Sequence, residues 1–257
     1  MNSNDTVLTN RLRKEVASLG SARDRREFGC FVAEGTKCVH DTWGCFQCEW
    51  LFATPRWIDE NRSWLGGYEP VSVPRSDIGR MSQLKTPGDV IAVYRLPQRE
   101  FDPVQFSQGL ALALDGVQDP GNLGTIIRVA DWFGVENIVC SPDTVDCFNP
   151  KVVQATMGAI ARINVVYHDL ADAFSMIPDT PLFGTFLDGS DIYSADLPSQ
   201  GIIVMGNEGN GISPAVRELI SHRLLIPSYP AGRPTSESLN VAMATGIVLS
   251  EFRRRSL

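Results

Sequence analysis

The feature that most constrains the fold is a regular alternation of short apolar runs with longer amphipathic stretches after residue 108. The apolar runs are predicted as strands at Leu110–Leu114, Asn137–Cys140, Ile163–Val166, Leu182–Leu187, Ile202–Met205 and Leu224–Ile226. Helices are predicted near residues 124–133, 150–160, 169–176, 213–221 and 238–254. Strands that each lead into a helix form a mostly parallel sheet with helices on both faces. The pattern predicts one α/β domain over residues 108–257.

A second, smaller α/β domain is predicted over residues 1–100. Its predicted strands are Cys30–Ala33, Trp50–Ala53, Val71–Val73 and Val90–Tyr94, with helical stretches near residues 36–43, 56–64 and 76–83. The segment 96–109, which holds two prolines among polar residues, separates the two domains. No apolar run approaches the ~18 residues of a membrane span, and the first residues contain no apolar signal-peptide core, so a cytoplasmic protein is expected.

Three polar segments that contain glycine each follow a predicted strand of the larger domain, at residues 115–128, 205–212 and 226–240. In open parallel sheets, ligands bind where strand ends meet helix starts. Any one of these segments is also compatible with an ordinary turn and helix cap. The three together indicate a ligand site. A dehydrogenase is disfavoured, because the first strand–helix turn lacks the G-x-G-x-x-G pattern of dinucleotide-binding proteins.

The charge of the chain is unevenly distributed. The net charge is −7, yet residues 1–100 carry 14 Lys and Arg against 13 Asp and Glu, whereas residues 101–257 carry 9 against 17. The basic residues near the N-terminus are Arg11, Arg13, Lys14, Arg23, Arg25 and Arg26. A locally basic stretch on an acidic protein can follow a phosphate backbone. On charge alone, a solvated amphipathic helix is the favoured interpretation. As the local positive face of an acidic chain, these six residues are also the predicted contact to nucleic acid.

Four cysteines fall within nineteen residues, at Cys30, Cys38, Cys45 and Cys48. The C-x-x-C pair at 45–48 is compatible with a zinc knuckle or a redox pair. A zinc site usually has a second closely spaced pair, which this segment lacks. Buried free thiols are favoured, and no metal site is predicted.

Three long segments resemble the SpoU/TrmH family of RNA ribose 2′-O-methyltransferases, within the SPOUT superfamily. They are LDGVQDPGNLGTIIRVA at 114–130, VMGNEGNGI at 204–212 and SLNVAMATGIVLSE at 238–251. The resemblance spans residues 108–255, and residues 26–35 are similar to the start of the family's RNA-binding domain. It implies a deep trefoil knot in the C-terminal part of the sheet, S-adenosyl-L-methionine as cofactor, and methyl transfer to a ribose 2′-hydroxyl.

The resemblance also implies a cofactor pocket. By position, Gly206, Ile226 and Leu239 are the backbone contacts to the cofactor. Glycine is expected at such a contact because it permits close approach of a ligand to the backbone. For Ile226 and Leu239, a place in the hydrophobic core is the alternative, because backbone contacts leave no mark on the side chain.

The implied catalytic residues are Arg128, Asn122, Glu208, Ser238 and Asn240. Arg128 is either the base that accepts the 2′-hydroxyl proton, or its organiser, or a clamp on the adjacent phosphate; a guanidinium stays protonated in proteins. Asn122 is expected to orient the ribose or Arg128, and Glu208 to accept hydrogen bonds from cofactor or substrate. Asn122 and Ser238 are alternatively helix N-caps.

The last predicted helix carries a wide apolar surface, which agrees with the homodimer implied by the resemblance, formed through the C-terminal domain. The N-terminal domain favours rRNA as substrate, with tRNA as the alternative. A non-catalytic RNA-binding relative is a further alternative, which the intact site residues disfavour. The loop 228–237 is longer than in many relatives and is expected to affect substrate details and not the reaction.

Overall fold

The computed structural model describes residues 8–230, 236 and 238–255. The helices and strands of the described residues are, in chain order, α1 (Asn10–Ser18), α2 (Ala22–Phe28), β1 (Cys30–Glu34), α3 (Thr36–Thr42), β2 (Cys48–Ala53), α4 (Pro55–Glu60), α5 (Arg62–Leu65), β3 (Val71–Ser72), α6 (Arg75–Met81), β4 (Val90–Arg95), α7 (Pro103–Ser107), β5 (Leu110–Asp115), α8 (Pro120–Trp132), β6 (Asn137–Cys140), α9 (Pro150–Ala155), β7 (Asn164–Tyr167), α10 (Leu170–Ser175), β8 (Leu182–Asp191), β9 (Gly201–Gly206), α11 (Pro214–Arg217), β10 (His222–Leu225) and α12 (Val241–Arg254). Most of the long loop at 228–237 lies outside the described residues.

The chain divides into two units. The first comprises the residues up to Gln98 together with Asp146–Ala161, and the second comprises Arg99–Val145 and the residues from Arg162 onward. The sequence pattern predicts that residues 146–161 belong to the second domain, whereas in the structure they pack with the first. This segment contains α9, which contacts β1.

The first unit is built on a mixed four-stranded sheet in the order β1-β4-β2-β3. Strand β4 pairs antiparallel with β1 and β2, and β3 pairs parallel with β2. Helices α1 and α6 pack together over one part of this sheet, with Val16 of α1 and Leu19 just after it in the same buried cluster as Ile78 and Met81 of α6. Every residue of β1 is buried, as expected for a strand that is covered on both faces.

The second unit contains a six-stranded sheet in the order β10-β8-β9-β5-β6-β7, and all five strand pairings are parallel. The predicted α/β class and parallel sheet are confirmed. Strands β5 and β9 lie side by side at the centre and are buried at every position, which explains their nearly continuous apolar sequences. The polar segments after β5, β9 and β10 leave from the same edge of the sheet, because parallel strands place their carboxyl ends together.

Helices α8 and α12 run parallel to each other. Near their N-terminal ends, Asn240 bonds to Asn122, and at their C-terminal ends Arg253 donates to the carbonyl oxygens of Phe133 and Gly134 at 2.7 and 2.8 Å. This packing brings the first and third polar segments together.

The main differences from the predicted elements have local causes. Strand β8 continues to Asp191, past the predicted end at Leu187, because the register with β10 shifts there and Gly189 fits closely against the Leu224 backbone. The predicted helix 150–160 is interrupted where Met157 and Gly158 adopt positive φ. The predicted helix 213–221 is shorter, ending at Arg217.

The strand order alone does not establish the trefoil knot, which stays a prediction. Within the described ranges, no helix combines the length and apolarity needed to cross a bilayer.

Candidate functional site

The loop after β9 is held in shape by Asn207. Its Nδ2 donates to the carbonyl oxygen of Gly116 at 2.7 Å, and its Oδ1 accepts from the backbone N–H groups of Gly209 and Asn210 at 2.9 and 3.0 Å. Backbone bonds in both directions also join Asn207 to Gly211. One amide side chain thus connects the loop after β9 to the end of β5.

Gly206 is required by the loop itself. A Cβ at this position would lie within 3.0 Å of the backbone of Gly211 and Ile212. Its φ lies outside the left-handed region, so the requirement is space and not conformation. The sequence analysis expected a ligand to need this space. The structure instead shows that the loop's own backbone makes the close approach.

Asn240, Asn122 and Glu208 form a chain of hydrogen bonds across the three polar segments. Asn240 donates from Nδ2 to Asn122 Oδ1 at 2.9 Å, and Asn122 donates from Nδ2 to Glu208 Oε1 at 3.0 Å. The two bonded pairs are 118 and 86 positions apart in the sequence. The structure therefore brings together three of the five predicted catalytic residues.

Capping of α8 and α12 does not use the side-chain groups through which Asn122 and Asn240 bond in this chain. Asp119, not Asn122, caps α8, accepting from the Asn122 N–H at 2.8 Å. Asn240 caps α12 by accepting from the N–H groups of Ala242 and Met243, while its Nδ2 still reaches Asn122. Ser238 lies two residues before this cap, so neither Asn122 nor Ser238 is the helix cap considered as an alternative.

Glu208 is held as a carboxylate. Desolvation acts to raise its pKa, but the hydrogen bonds from Asn122 and from the backbone of the strand–helix loop outweigh it, and the pKa of Glu208 lies below its usual value. The N–H groups of Gln118 and Asp119 point at its oxygens at 3.4 and 3.3 Å. A general base works best when its pKa is near the working pH. The arrangement therefore suits Glu208 as a fixed negative charge and hydrogen-bond acceptor.

A cavity of about 560 Å³ opens beside this loop, within the size range of small-molecule sites. Its lining residues are Thr185, Phe186, Leu187, Asp188, Met205, Gly206, Asn207, Glu208, Gly209, Asn210, Gly211, Ile212, Arg217, Leu225, Ile226, Ser238, Leu239, Val241 and Ala244. The three predicted cofactor contacts, Gly206, Ile226 and Leu239, are all among them. Leu239 is half exposed and Ile226 is partly exposed, so neither is a core residue.

The cavity has the chemistry that S-adenosyl-L-methionine requires. Leu225, Ile226 and Leu239 offer apolar surface for a flat heterocycle, with backbone N–H and C=O groups beside them. The carboxylates of Glu208 and Asp188 offer negative charge for a sulfonium or an ammonium group. Arg217 offers positive charge for a carboxylate. The residues present fit this cofactor.

Arg128 stands apart from the hydrogen-bonded chain. It is exposed on α8 and pairs with none of the residues that the structure describes. Six residues at 3.6 per turn place its side chain about 120° around the helix from Asn122. No described residue accepts from its guanidinium donors, which are available to bind an anion.

Two charged residues of the cavity were missed by the sequence analysis, Asp188 and Arg217. They lie near Phe186, whose ring centroid is 4.9 Å from the Arg217 guanidinium carbon and 4.0 Å from that of Arg223. Arg223 donates to Asp188, and this bond holds the pKa of Asp188 below its usual value. The predicted strand ended at Leu187, one residue before Asp188. No local sequence motif predicts that Asp188 meets Arg217 and Arg223, since the three residues belong to three separate elements.

The predicted nucleic-acid contact is wrong for Arg25. Its side chain is 1% exposed and bonds to Asp146 through Nε at 2.9 Å and Nη2 at 2.6 Å. Its Nη1 donates to the carbonyl oxygens of Leu19 and Gly20. All three side-chain nitrogens of Arg25 therefore donate hydrogen bonds within the first unit.

The other five basic residues differ in their availability. Arg13 is mostly buried and bonds to Asp77 and Asn10. Arg11 is exposed and pairs with Glu15 one turn along α1. Lys14, Arg23 and Arg26 are exposed, and within the described ranges they form no ion pair. The positive charges of Lys14, Arg23 and Arg26 are therefore available to bind a phosphate.

The four clustered cysteines occupy different environments. Cys30 and Cys38 are buried, Cys48 is partly buried, and Cys45 is exposed, so the expected burial does not extend to the whole group. Burial raises the pKa of Cys38 to about 11. Among the residues the structure describes, no three His, Cys, Asp or Glu side chains form a group that would hold a metal ion.

Comparison with known proteins agrees with this geometry. The model of the SpoU rRNA methylase family matches residues 109–250. The chain belongs to this family. The MRM3-like substrate binding domain matches residues 10–92, which lie in the first unit. Apart from residues 146–161, which pack with the first unit, the SpoU methylase match lies in the second unit, together with the hydrogen-bonded residues and the cavity.

Solved structures extend the match over nearly all of the chain, and a curated relative extends it over two thirds. A TrmH-family protein from Porphyromonas gingivalis is 39% identical, with a TM-score of 0.86 over 97% of this chain and 100% of that chain. An AdoMet-bound rRNA methyltransferase from Sinorhizobium meliloti is 29% identical, with a TM-score of 0.83 over 98% and 97%. The 23S rRNA (guanosine(2553)-2′-O)-methyltransferase of Bacillus subtilis is 32% identical over 67% of this chain and 68% of its own length. The SpoU/TrmH resemblance is confirmed.

Proposed function

We propose that this SpoU-family protein transfers a methyl group from S-adenosyl-L-methionine to a ribose 2′-hydroxyl of rRNA. The observation that carries the proposal is the hydrogen-bonded chain from Asn240 through Asn122 to Glu208, beside a cavity that fits the cofactor. The AdoMet-bound Sinorhizobium meliloti relative supports the cofactor. The 2′-O activity named for the Bacillus subtilis relative supports the reaction.

The cavity residues hold and orient the cofactor in this proposal. Backbone groups at Gly206, Ile226 and Leu239 pair with the edge of its adenine, while the apolar side chains cover its faces. When bound, S-adenosyl-L-methionine supplies an electrophilic methyl group on a positively charged sulfur. Glu208, kept ionised by Asn122 and by backbone N–H groups, places a fixed negative charge on this cavity. Fixed charges of this kind need no rearrangement during reaction.

Two residues act on the RNA in this proposal. Arg128 binds the phosphate next to the target ribose and stabilises the negative charge that develops on the 2′-oxygen. Its guanidinium is exposed and unpaired with any described residue, as this role requires. A clamp is favoured over a base because a guanidinium stays protonated in proteins. Ser238, exposed at the cavity, offers a hydroxyl to the ribose.

Ribosomal RNA is the proposed substrate and tRNA the alternative. Residues 10–92 match a substrate-binding domain, and the named activity of the Bacillus subtilis relative is on 23S rRNA. A non-catalytic role is disfavoured, because the hydrogen-bonded residues and Arg128 are all present.

We also propose a homodimer formed through the second unit. Trp132 at the end of α8 is 84% exposed and Met243 on α12 is 63% exposed. Large exposed apolar side chains at both ends of this helix pair are typical of a surface that a partner covers. A cytoplasmic location and the trefoil knot remain predictions from the sequence and its resemblance.

The experiment that tests the proposal is a map of 2′-O-methylated positions in total RNA from cells with and without the gene. One methylated position in rRNA is expected to disappear when the gene is deleted, and to return with the wild-type gene but not with Arg128→Ala. The Arg128→Ala protein is expected to bind S-adenosyl-L-methionine within a few-fold of wild type, since Arg128 does not line the cavity. Wild-type methylation by this variant would contradict the role of Arg128. An unchanged map would contradict the proposed function.

A further inference from the structure

The lining of the cavity includes a pair of opposite charges. Arg217, at the end of α11, and Asp188, on β8, both line it, and their nearest charged atoms are 3.7 Å apart. About half of the Arg217 side chain is exposed, and Asp188 is more exposed still. Within the described ranges, Arg217 is the only cationic side chain in the lining of this cavity.

Although Arg217 lies beside Asp188, none of the described residues accepts a hydrogen bond from its N–H groups. Asp188 accepts its hydrogen bond from Arg223, and the 3.7 Å separation from Arg217 is too long for a hydrogen bond. A guanidinium has five N–H donors in a flat fork, and those of Arg217 bond to none of the described residues. The Phe186 ring, 4.9 Å from the guanidinium carbon, helps to hold the fork in place. Beside its ion pair with Asp188, Arg217 thus has N–H donors that a ligand anion can accept from, since none of the described residues does so.

The charged residues that line the cavity differ in their partners. Glu208, bonded to Asn122, contributes a carboxylate without a cationic partner among the described residues. That carboxylate attracts a sulfonium and repels a ligand carboxylate. Arg217 beside Asp188 matches the other end of S-adenosyl-L-methionine, where an α-carboxylate and an α-ammonium group share one carbon. Arginine binds carboxylates through two parallel N–H···O bonds, which a point charge does not reproduce.

We infer that Arg217 binds the carboxylate of the amino-acid end of S-adenosyl-L-methionine and that Asp188 faces its ammonium group. This inference rests on the proposed function. It makes the Phe186–Asp188 segment of β8 and the end of α11 the part of the protein that recognises the amino-acid portion of the cofactor. The adenine contacts at Gly206, Ile226 and Leu239 then recognise the nucleoside portion.

The test compares two ligands on the same protein. Binding of S-adenosyl-L-methionine and of 5′-methylthioadenosine, which keeps the nucleoside but lacks the amino-acid group, is measured by calorimetric titration. Arg217→Met is expected to weaken S-adenosyl-L-methionine by about tenfold or more, the usual size of a lost charge-assisted bond. Binding of 5′-methylthioadenosine is expected to stay within about twofold. Arg217→Lys is expected to recover only part of the loss, because it restores charge but not the fork.

Equal affinities of wild type and Arg217→Met for S-adenosyl-L-methionine would overturn the inference. A loss of RNA affinity with unchanged cofactor affinity would also overturn the inference, because Arg217 would then contact the substrate and not the cofactor. If Arg217→Met binds neither ligand, Asp188→Asn makes the same comparison from the ammonium side. Weaker S-adenosyl-L-methionine binding with unchanged 5′-methylthioadenosine binding then supports the inference, and unchanged binding of both contradicts it. A wild-type protein that binds neither ligand would instead contradict the proposed function.

Discussion

Replacing Arg25 by methionine is expected to destabilise the first unit strongly. Methionine fills much of the space of the arginine stem but supplies no hydrogen-bond donor. The change removes both bonds to Asp146 and the bonds to the carbonyl oxygens of Leu19 and Gly20. Since Arg25 itself is 1% exposed, water cannot replace the lost donors without opening the fold.

The magnitude follows from the burial of the partners. Breaking a buried ion pair by removing one partner usually costs about 3–5 kcal/mol. The Asp146 side chain is 34% exposed and can recover some hydration, so the low end of that range applies to the pair. The carbonyl oxygen of Leu19 adds about 1 kcal/mol for a lost buried hydrogen bond. A loss of about 3–4 kcal/mol in the free energy of unfolding is therefore expected.

The neighbouring arginine is a matched control. Arg26 is exposed, and its guanidinium makes one bond, to the Ala22 carbonyl oxygen at 3.2 Å. Arg26→Met is expected to change the free energy of unfolding by less than about 0.5 kcal/mol. Urea unfolding monitored by tryptophan fluorescence reports on the first unit, which contains Trp43, Trp50, Trp57 and Trp64. Coincident unfolding curves for the two variants would refute the structural role of Arg25.

Three further outcomes are expected. Gly206→Ala should lower the free energy of unfolding by about 1–3 kcal/mol and weaken cofactor binding, because the added Cβ meets the loop backbone; calorimetry that finds neither would contradict the packing of this loop. Alanine at Lys14, Arg23 and Arg26 together should weaken RNA binding and reduce the log–log salt slope by up to about 2, at ~0.7 for each phosphate contact, with cofactor affinity unchanged; an unaltered slope would show these residues to be an ordinary solvated surface. The lowered pKa of Glu208 means that its carboxylate stabilises the fold fully above the usual value of 4.5 and loses this effect as pH falls through the lowered pKa. The stability difference between wild type and Glu208→Gln should thus be constant near neutral pH and shrink in acid, and a difference that grows in acid would contradict this sign.

The sequence predicts the strands well where burial imposes continuous apolar runs. Strand β6 matches its predicted bounds of Asn137–Cys140. The predicted strand Leu110–Leu114 is one residue short at its C-terminal end, and the predicted strand Ile202–Met205 is one residue short at each end. Helix ends were harder to predict, because they depend on caps and backbone turns. The N-terminal end of α8 depends on Asp119 and Pro120, and the end of α9 on the positive φ of Met157 and Gly158.

The features that the sequence did not predict depend on contacts between side chains that are far apart in the sequence. Arg25 and Arg26 lie in the same basic segment, and the local sequence does not distinguish them. The bond from Arg25 to Asp146, 121 positions away, shows that Arg25 is the buried one. Arg217 and Asp188 likewise meet only because α11 and β8 are neighbours in the folded second unit. The motifs around Asn122, Glu208 and Asn240 were recognised from resemblance, and the hydrogen bonds among them required the structure.

The most direct test of the central claim is the chemical position of the transferred methyl group. The protein is incubated with unmodified rRNA and S-adenosyl-L-methionine labelled in the methyl group, and the RNA is then hydrolysed in alkali. Alkaline cleavage uses the free 2′-hydroxyl, so a 2′-O-methylated nucleotide stays joined to its neighbour. The label is expected in alkali-resistant dinucleotides, and Arg128→Ala is expected to abolish it. Label recovered in mononucleotides would place the methyl group on a base and contradict the account.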